Sequence, residues 1–268
     1  MWSFDHEPDR SRLAERYVLS SDTPSECAAK LASGEADIGL IPVASYASTP
    51  SLTVIPGCTI ASRDRVRSIV LVVRPPDGIA GVRRVALDTA SRTSAAYTRI
   101  LFSRFWKRSP EYVPHAPDLE PMLRVADAAL LIGDPALYAL EDRAAREQRT
   151  GERLLYLDLA HEWHTFTGTV WVSAFWGVSP EALTSSAVSA AQLVEDFQRS
   201  RDSGLAHIDD LAAEWSGRVP VPRATIRAYL SENIWYVLDG PCLSGLELFY
   251  RYGAECRALP EAPTLRFL

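Results

Sequence analysis

Three times in this chain a short apolar run of strand length ends in a loop of small polar residues, and that recurrence restricts the fold more than any other feature. The runs are Ala36-Asp37-Ile38-Gly39-Leu40-Ile41, Val82-Arg83-Arg84-Val85-Ala86-Leu87 and Asp127 to Ile132. The first is preceded by a helix pattern. It opens at Thr23-Pro24-Ser25-Glu26, where Thr23 can cap, Pro24 suits the first turn and Glu26 completes a capping box, and it stops at Gly34. The second is followed by a helix pattern over Ala95 to Phe105. The third is followed by one from Ala136 onward, with Asp134 as N-cap and Pro135 in the first turn. A further short strand is expected at Arg16-Tyr17-Val18-Leu19. Alternating strands and helices predict an α/β protein with a largely parallel sheet. The units share a pattern without sharing sequence, so a solenoid is excluded.

Two continuous apolar stretches, Ser68 to Val73 and Thr169 to Trp176, read as strands that cross between lobes. On that reading residues 75–169 form an inserted lobe, and residues 1–74 with 170–268 form the other. The length of 268 residues accommodates this, at about 150 residues per domain as a prior. The C-terminal region reads as helical: one long helix from Ser179-Pro180-Glu181 through Arg199, then Leu205 to Trp215, Arg223 to Leu230, and Leu243 to Glu255 after Gly240-Pro241.

Charge and composition remove several function classes. The net charge is -6, with both signs spread along the chain, which offers no basic face to nucleic acid. No apolar run reaches the ~18 residues of a membrane helix. Residues 1–12 lack the basic flank and apolar core of a signal peptide, so a cytoplasmic location is expected. Cys27, Cys58, Cys242 and Cys256 are scattered, which points to reduced structural cysteines and no zinc site. His161-Glu162-Trp163-His164 has the wrong spacing for a zinc protease, and no nucleophile elbow, P-loop or dinucleotide fingerprint is present. Aromatics around Trp163, Phe166, Trp171, Phe175 and Trp176 read as core.

In open α/β sheets a ligand binds beyond the carboxyl ends of the strands, so the strand-end loops carry the chemistry. Leu87-Asp88-Thr89-Ala90-Ser91-Arg92-Thr93-Ser94 brings hydroxyls and an arginine to a helix N-terminus, which suits a carboxylate or phosphate. Equally, Ser91 or Thr93 caps the helix and Arg92 pairs with an acid. After the first strand, Ser45 either offers its hydroxyl to the cleft or caps, with Tyr46 as a possible wall. Gly133 permits close backbone approach to a ligand, and Asp134 is either a cap or a polar group facing the cleft. Ser68 enters an apolar strand and needs a partner if buried.

Taken together, the ordered motifs resemble the chorismate dehydratase family of menaquinone biosynthesis by the futalosine route. They are Pro24-Ser25-Glu26, Ala36 to Pro42, Ser45-Tyr46, Ile60-Ala61-Ser62, Val66-Arg67-Ser68, Leu87-Asp88 with Ser91 to Ser94, Leu131-Ile132-Gly133-Asp134-x-Ala136-Leu137, and Asp158-Leu159 with Glu162-Trp163 and Thr167-Gly168. The match runs from about residue 20 to the C-terminus.

The resemblance implies a periplasmic binding protein type II-like fold, with two α/β lobes around a ligand cleft. It implies elimination of water from chorismate to give 3-(1-carboxyvinyloxy)benzoate, with no metal and no organic cofactor. It places Ser68 nearest the reacting ring as the catalytic residue. Ser45, Ser91, Arg92, Thr93 and Ser94 then hold the substrate carboxylates, and Gly133 with Asp134 closes the other wall. Members of that family begin with a strand followed by Tyr-Leu-Asn, whose asparagine belongs to the active site. The only asparagine here, Asn233, does not match that motif by position. Either translation starts upstream of Met1 or a central strand has been lost, and the apolar area such a strand buries favours the first. Two other readings stay open: a solute-binding module for a small carboxylic acid, and the sister pathway enzyme that acts on a cyclised futalosine derivative through a histidine base.

Overall fold

A computed structural model describes residues 1–74, 77–90, 92–185 and 187–268. Its eight strands form two sheets. The three-stranded sheet contains β1 (Ile38–Pro42), β2 (Thr53–Ser62) and β8 (Trp171–Val178) in the order β1-β8-β2, with both pairings antiparallel. The five-stranded sheet contains β3 (Ile69–Val73), β4 (Arg84–Asp88), β5 (Glu111–His115), β6 (Ala128–Ile132) and β7 (Leu155–Asp158). Its order is β5-β4-β6-β3-β7.

Within the five-stranded sheet, parallel pairing is confined to β4 with β5 and β6, while β3 runs antiparallel to both β6 and β7. The expectation of a largely parallel sheet therefore holds only where a helix returns the chain, as it does after β4. Strand β3 arrives directly from the other sheet and runs the opposite way. It belongs wholly to the five-stranded sheet, so the chain enters that sheet at Ile69, ahead of residue 75.

Every residue of β3 is buried. Alternation sends Ile69, Leu71 and Val73 into the larger core and Val70 and Val72 into a second core on the opposite face. Each such side chain contributes roughly 1.5–3 kcal/mol relative to exposure, and burial on both faces explains the unbroken apolar run.

The helix Pro24–Ser33 carries the capping box read from Thr23 and Glu26. At the third strand-helix junction the cap differs from expectation. Gly133, at φ 61°, occupies the cap position, and Asp134 is the first helical residue of Asp134–Glu141 with no side-chain cap bond. The long helix expected after Ser179 is two helices, Pro180–Ser185 and Ala190–Ala206, the second capped by the Ser189 hydroxyl. Arg16 to Leu19 forms no strand. The Arg16 guanidinium and Tyr17 hydroxyl bind the buried Asp196 carboxylate, at 3.1 and 3.0 Å, which draws the segment onto Ala190–Ala206 and leaves Val18 fully exposed. Among the aromatics read as core, Trp163, Trp171 and Phe175 are fully buried, Trp176 is half-buried and Phe166 is exposed. No helix among the described residues is long and apolar enough to cross a membrane.

Candidate functional site

Strand ends of both sheets carry small polar residues, and hydrogen bonds gather them into two groups. Ser68 lies immediately before β3 and is buried. Its carbonyl accepts the Gly133 N–H at 2.7 Å, which joins the start of β3 to the loop after β6. The φ of Gly133 belongs to the left-handed region that favours glycine, while a Cβ there would meet nothing within 4 Å, so it is backbone conformation and not space that calls for glycine at this position. The Ser68 Oγ accepts a hydrogen bond from the Tyr229 hydroxyl at 3.0 Å.

Asp158, at the end of β7, fixes the turn that delivers Ser68. Its carboxylate accepts the Val66 and Arg67 N–H groups at 3.3 and 2.7 Å, and also those of Ala160 and His161 at 3.1 and 3.2 Å. It thus caps the helix Leu159–Thr167 and holds the preceding loop at once. Arg67 has φ 62°, a conformation that costs a non-glycine residue about 1–2 kcal/mol. Burial pushes the Asp158 carboxyl above its ordinary range, while the four N–H donors pull it back. Asp158→Asn turns an amide NH2 toward at least one of these N–H donors. It is expected to lower stability by about 2 kcal/mol, read as a shift in the denaturant midpoint with an unchanged slope.

In the second group, Thr93 ties the helix that follows β4 to the three-stranded sheet. Its hydroxyl donates to the Ser173 carbonyl at 3.1 Å and accepts the Ala44 N–H at 3.2 Å. Ala44 and Ser45 lie on the short helix Val43–Tyr46 that follows β1. Ser45 is buried and its Oγ has no hydrogen-bond partner, and the same holds for Ser62 at the end of β2. A buried hydroxyl without a partner costs on the order of 1–3 kcal/mol. Ser94 is buried on the first turn of the helix Arg92–Ile100, and Arg92 is exposed at its start. Asp88, at the end of β4, is buried and accepts the Ala90 N–H at 2.9 Å. Burial pushes its carboxyl above the ordinary range. The Ser25 hydroxyl reaches across to the Ala90 carbonyl at 3.0 Å.

The structure thus joins Ser68 to Gly133 directly, and Thr93 to the residue beside Ser45. Ser91 lies outside the described residues. The Asp134 side chain is exposed. Tyr46 is no cleft wall: it is fully buried, donates to the Leu52 carbonyl at 3.1 Å and accepts the Arg266 N–H at 3.1 Å. His161 faces Asp64 at 2.5 Å and His164 faces the Thr169 carbonyl at 3.3 Å, so neither contacts Ser68. Sequence reading gave no role to Tyr229, and it named Ser62 and Asp158 only as parts of the family motifs. Ser62 carried one signal, a hydroxyl at the very end of a strand. An apolar cavity of about 150 Å³ lies between the three-stranded sheet and the helix Ala190–Ala206, lined by Leu40, Trp176 and Phe197 among others, and shares none of these residues.

Solved structures share this architecture. A protein of Archaeoglobus fulgidus aligns with a TM-score of 0.66 at 15% identity, covering 95% of this chain and 92% of its own. The periplasmic aliphatic sulphonate binding protein of Escherichia coli aligns with a TM-score of 0.61 at 15% identity, covering 98% and 85%. A Candida albicans gene product with the generic periplasmic binding protein fold aligns with a TM-score of 0.55 at 8% identity, covering 94% and 87%. The fold is that of the two-lobed, type II-like periplasmic binding proteins. A profile of proteins of menaquinone biosynthesis matches residues 3–255, nearly the whole chain, and the protein belongs to that menaquinone biosynthesis family.

Proposed function

We propose that the protein is a chorismate dehydratase, a carbon-oxygen lyase that converts chorismate into 3-(1-carboxyvinyloxy)benzoate and water. The observation that carries this reading is Ser68, a buried hydroxyl immediately before β3 in a chain of the menaquinone biosynthesis family. Chorismate bears two carboxylates, a ring hydroxyl and an enolpyruvyl ether. The electron pair of the ring C–H bond beside the hydroxyl becomes a ring double bond. The C–O bond breaks, and the departing oxygen leaves as water. The proton taken from carbon is accepted by a substrate carboxylate and ends on the departing oxygen, so no net proton is exchanged. Aromatisation makes the step strongly downhill, and the protein has mainly to orient the ring and assist the leaving group.

In this reading Ser68 hydrogen bonds the departing hydroxyl. Ser45, Ser91, Arg92 and Ser94 hold the carboxylates, and a carboxylate reaching Thr93 would displace its bond to the Ser173 carbonyl. Gly133 and Asp134 form the opposite wall. The substrate is a small molecule and the work is cytoplasmic.

Purified protein incubated with chorismate is expected to release the aromatic ether, identified by mass and by its ultraviolet spectrum. Tight binding of chorismate without turnover would instead support a solute-binding module, and absence of both would remove chorismate as the ligand.

A further inference from the structure

The helix Arg223–Ala228 ends in a π-turn, Tyr229–Asn233. Such turns are uncommon and cluster at functional sites. This one is fastened to the loop before Ser68 at both ends: the Asn233 amide donates to the Arg65 carbonyl at 3.1 Å, and the Tyr229 hydroxyl donates to the Ser68 Oγ at 3.0 Å. The chain then continues extended beside β2, where Trp235 and Ala61 exchange backbone hydrogen bonds of 2.8 and 2.9 Å and the Thr59 N–H reaches the Tyr236 carbonyl at 3.0 Å. The Tyr229 ring packs into the larger core and also against the cluster formed by Leu137, Val221 and Ile226. These contacts restrict where the phenol can go.

We infer that Tyr229 is a positioning residue for the reaction, directing the Ser68 proton toward the departing hydroxyl of the substrate. The inference rests on the dehydratase reading and deepens it. A serine hydroxyl carries one proton and two lone pairs. With one lone pair occupied by the Tyr229 proton, the Ser68 Oγ–H cannot donate back to that phenol and is left for another acceptor, which in the dehydratase reading is the substrate. Burial pushes the phenol above its ordinary range, so Tyr229 stays neutral and keeps the proton it donates to Ser68. Hydrogen bonds in series also polarise one another, which makes Ser68 a better donor.

Tyr229→Phe keeps the ring and removes only this hydrogen bond. It is expected to lower kcat by about tenfold, with KM and the melting midpoint little changed. A merely structural tyrosine would move the midpoint and leave kcat per folded molecule intact. The double-mutant cycle decides whether the effect runs through Ser68. On a Ser68→Ala background, Tyr229→Phe should cost nothing further. A Tyr229→Phe enzyme with wild-type kcat overturns the inference, and so does a double variant that loses the product of the two single effects. Should the Phe variant fold poorly, Tyr229→Met on both backgrounds gives the same cycle. If the wild-type protein itself makes no aromatic ether, the dehydratase reading fails and this inference falls with it. Turnover by the wild type with an unaffected Tyr229 variant overturns the tyrosine assignment alone.

Discussion

Gly245→Ala is expected to destabilise the protein by about 4 kcal/mol, at the upper end of what single substitutions do, and to lower the melting midpoint by roughly 10 °C. Gly245 sits on the helix Gly240–Glu255 where that helix crosses the start of β8. A Cβ at this position would lie 2.2 Å from the Val170 carbonyl oxygen and 3.2 Å from its carbon. Backbone atoms on both sides leave no flexible side chain to yield. The helix cannot simply lift away, because Leu246 and Phe249 beside the crossing are fully buried. Phe249 stacks on Tyr97 at 4.2 Å, and Tyr97 on Trp171 at 3.6 Å. Relieving one overlap therefore unstacks three rings. Gly217→Ala, where a Cβ would meet nothing within 4 Å, is the matched control and should change the midpoint little. A Gly245→Ala protein that melts with the wild type would show that the helix is not seated on Val170.

Ser68→Ala should reduce kcat on chorismate by about 10²–10³-fold, the range seen when a preorganised donor to developing negative charge is removed. KM should hold, since the carboxylates rather than the ring hydroxyl carry most of the binding. The substitution has a second, separable effect. It removes the acceptor of the Tyr229 hydroxyl, which is half-buried and donates nowhere else among the described contacts. Leaving that donor unpaired costs about 1–2 kcal/mol, or a few degrees in the midpoint. Kinetics measured well below the transition separate the two effects. Full turnover by Ser68→Ala would remove Ser68 from the reaction.

How much of this could be read from the residues depends on the range over which each feature is determined. The helix Pro24–Ser33 was legible because Thr23, Pro24, Glu26 and Gly34 all act within one turn of its ends. Strands β1, β4 and β6 were legible because their apolar runs are short and end at turn-forming residues. Arg16 to Leu19 misled because its apolar residues are of strand type, while its placement is decided by Asp196, far along the chain. Pairing was illegible for the same reason: nothing local to β3 says that both its neighbours run against it. At the candidate site, Ser68 and Gly133 were singled out by their places at strand ends, and their roles came only from the family resemblance. Composition alone left every strand-end hydroxyl open between cap and ligand. Tyr229 lay in an ordinary helical pattern, and no local signal marks the π-turn that brings it to a serine in another part of the fold.

The two sheets also differ in how they can be assembled. Strands β3 to β7 follow one another in a single continuous stretch, so the five-stranded sheet can form as soon as that stretch exists. The three-stranded sheet cannot. Its middle strand is β8, and the register that sets Ile38 against Val178 joins residues separated by more than half of the chain. Until β8 arrives, β1 and β2 have no partner between them and present open edges of the kind that recruit other chains. Prior folding of the five-stranded sheet shortens that search, because it brings the end of β2 and the start of β8 together at its own two connections. On a ribosome this would make residues 38–62 the most aggregation-prone part of the nascent protein, exposed from their emergence until about two-thirds of the chain has been made.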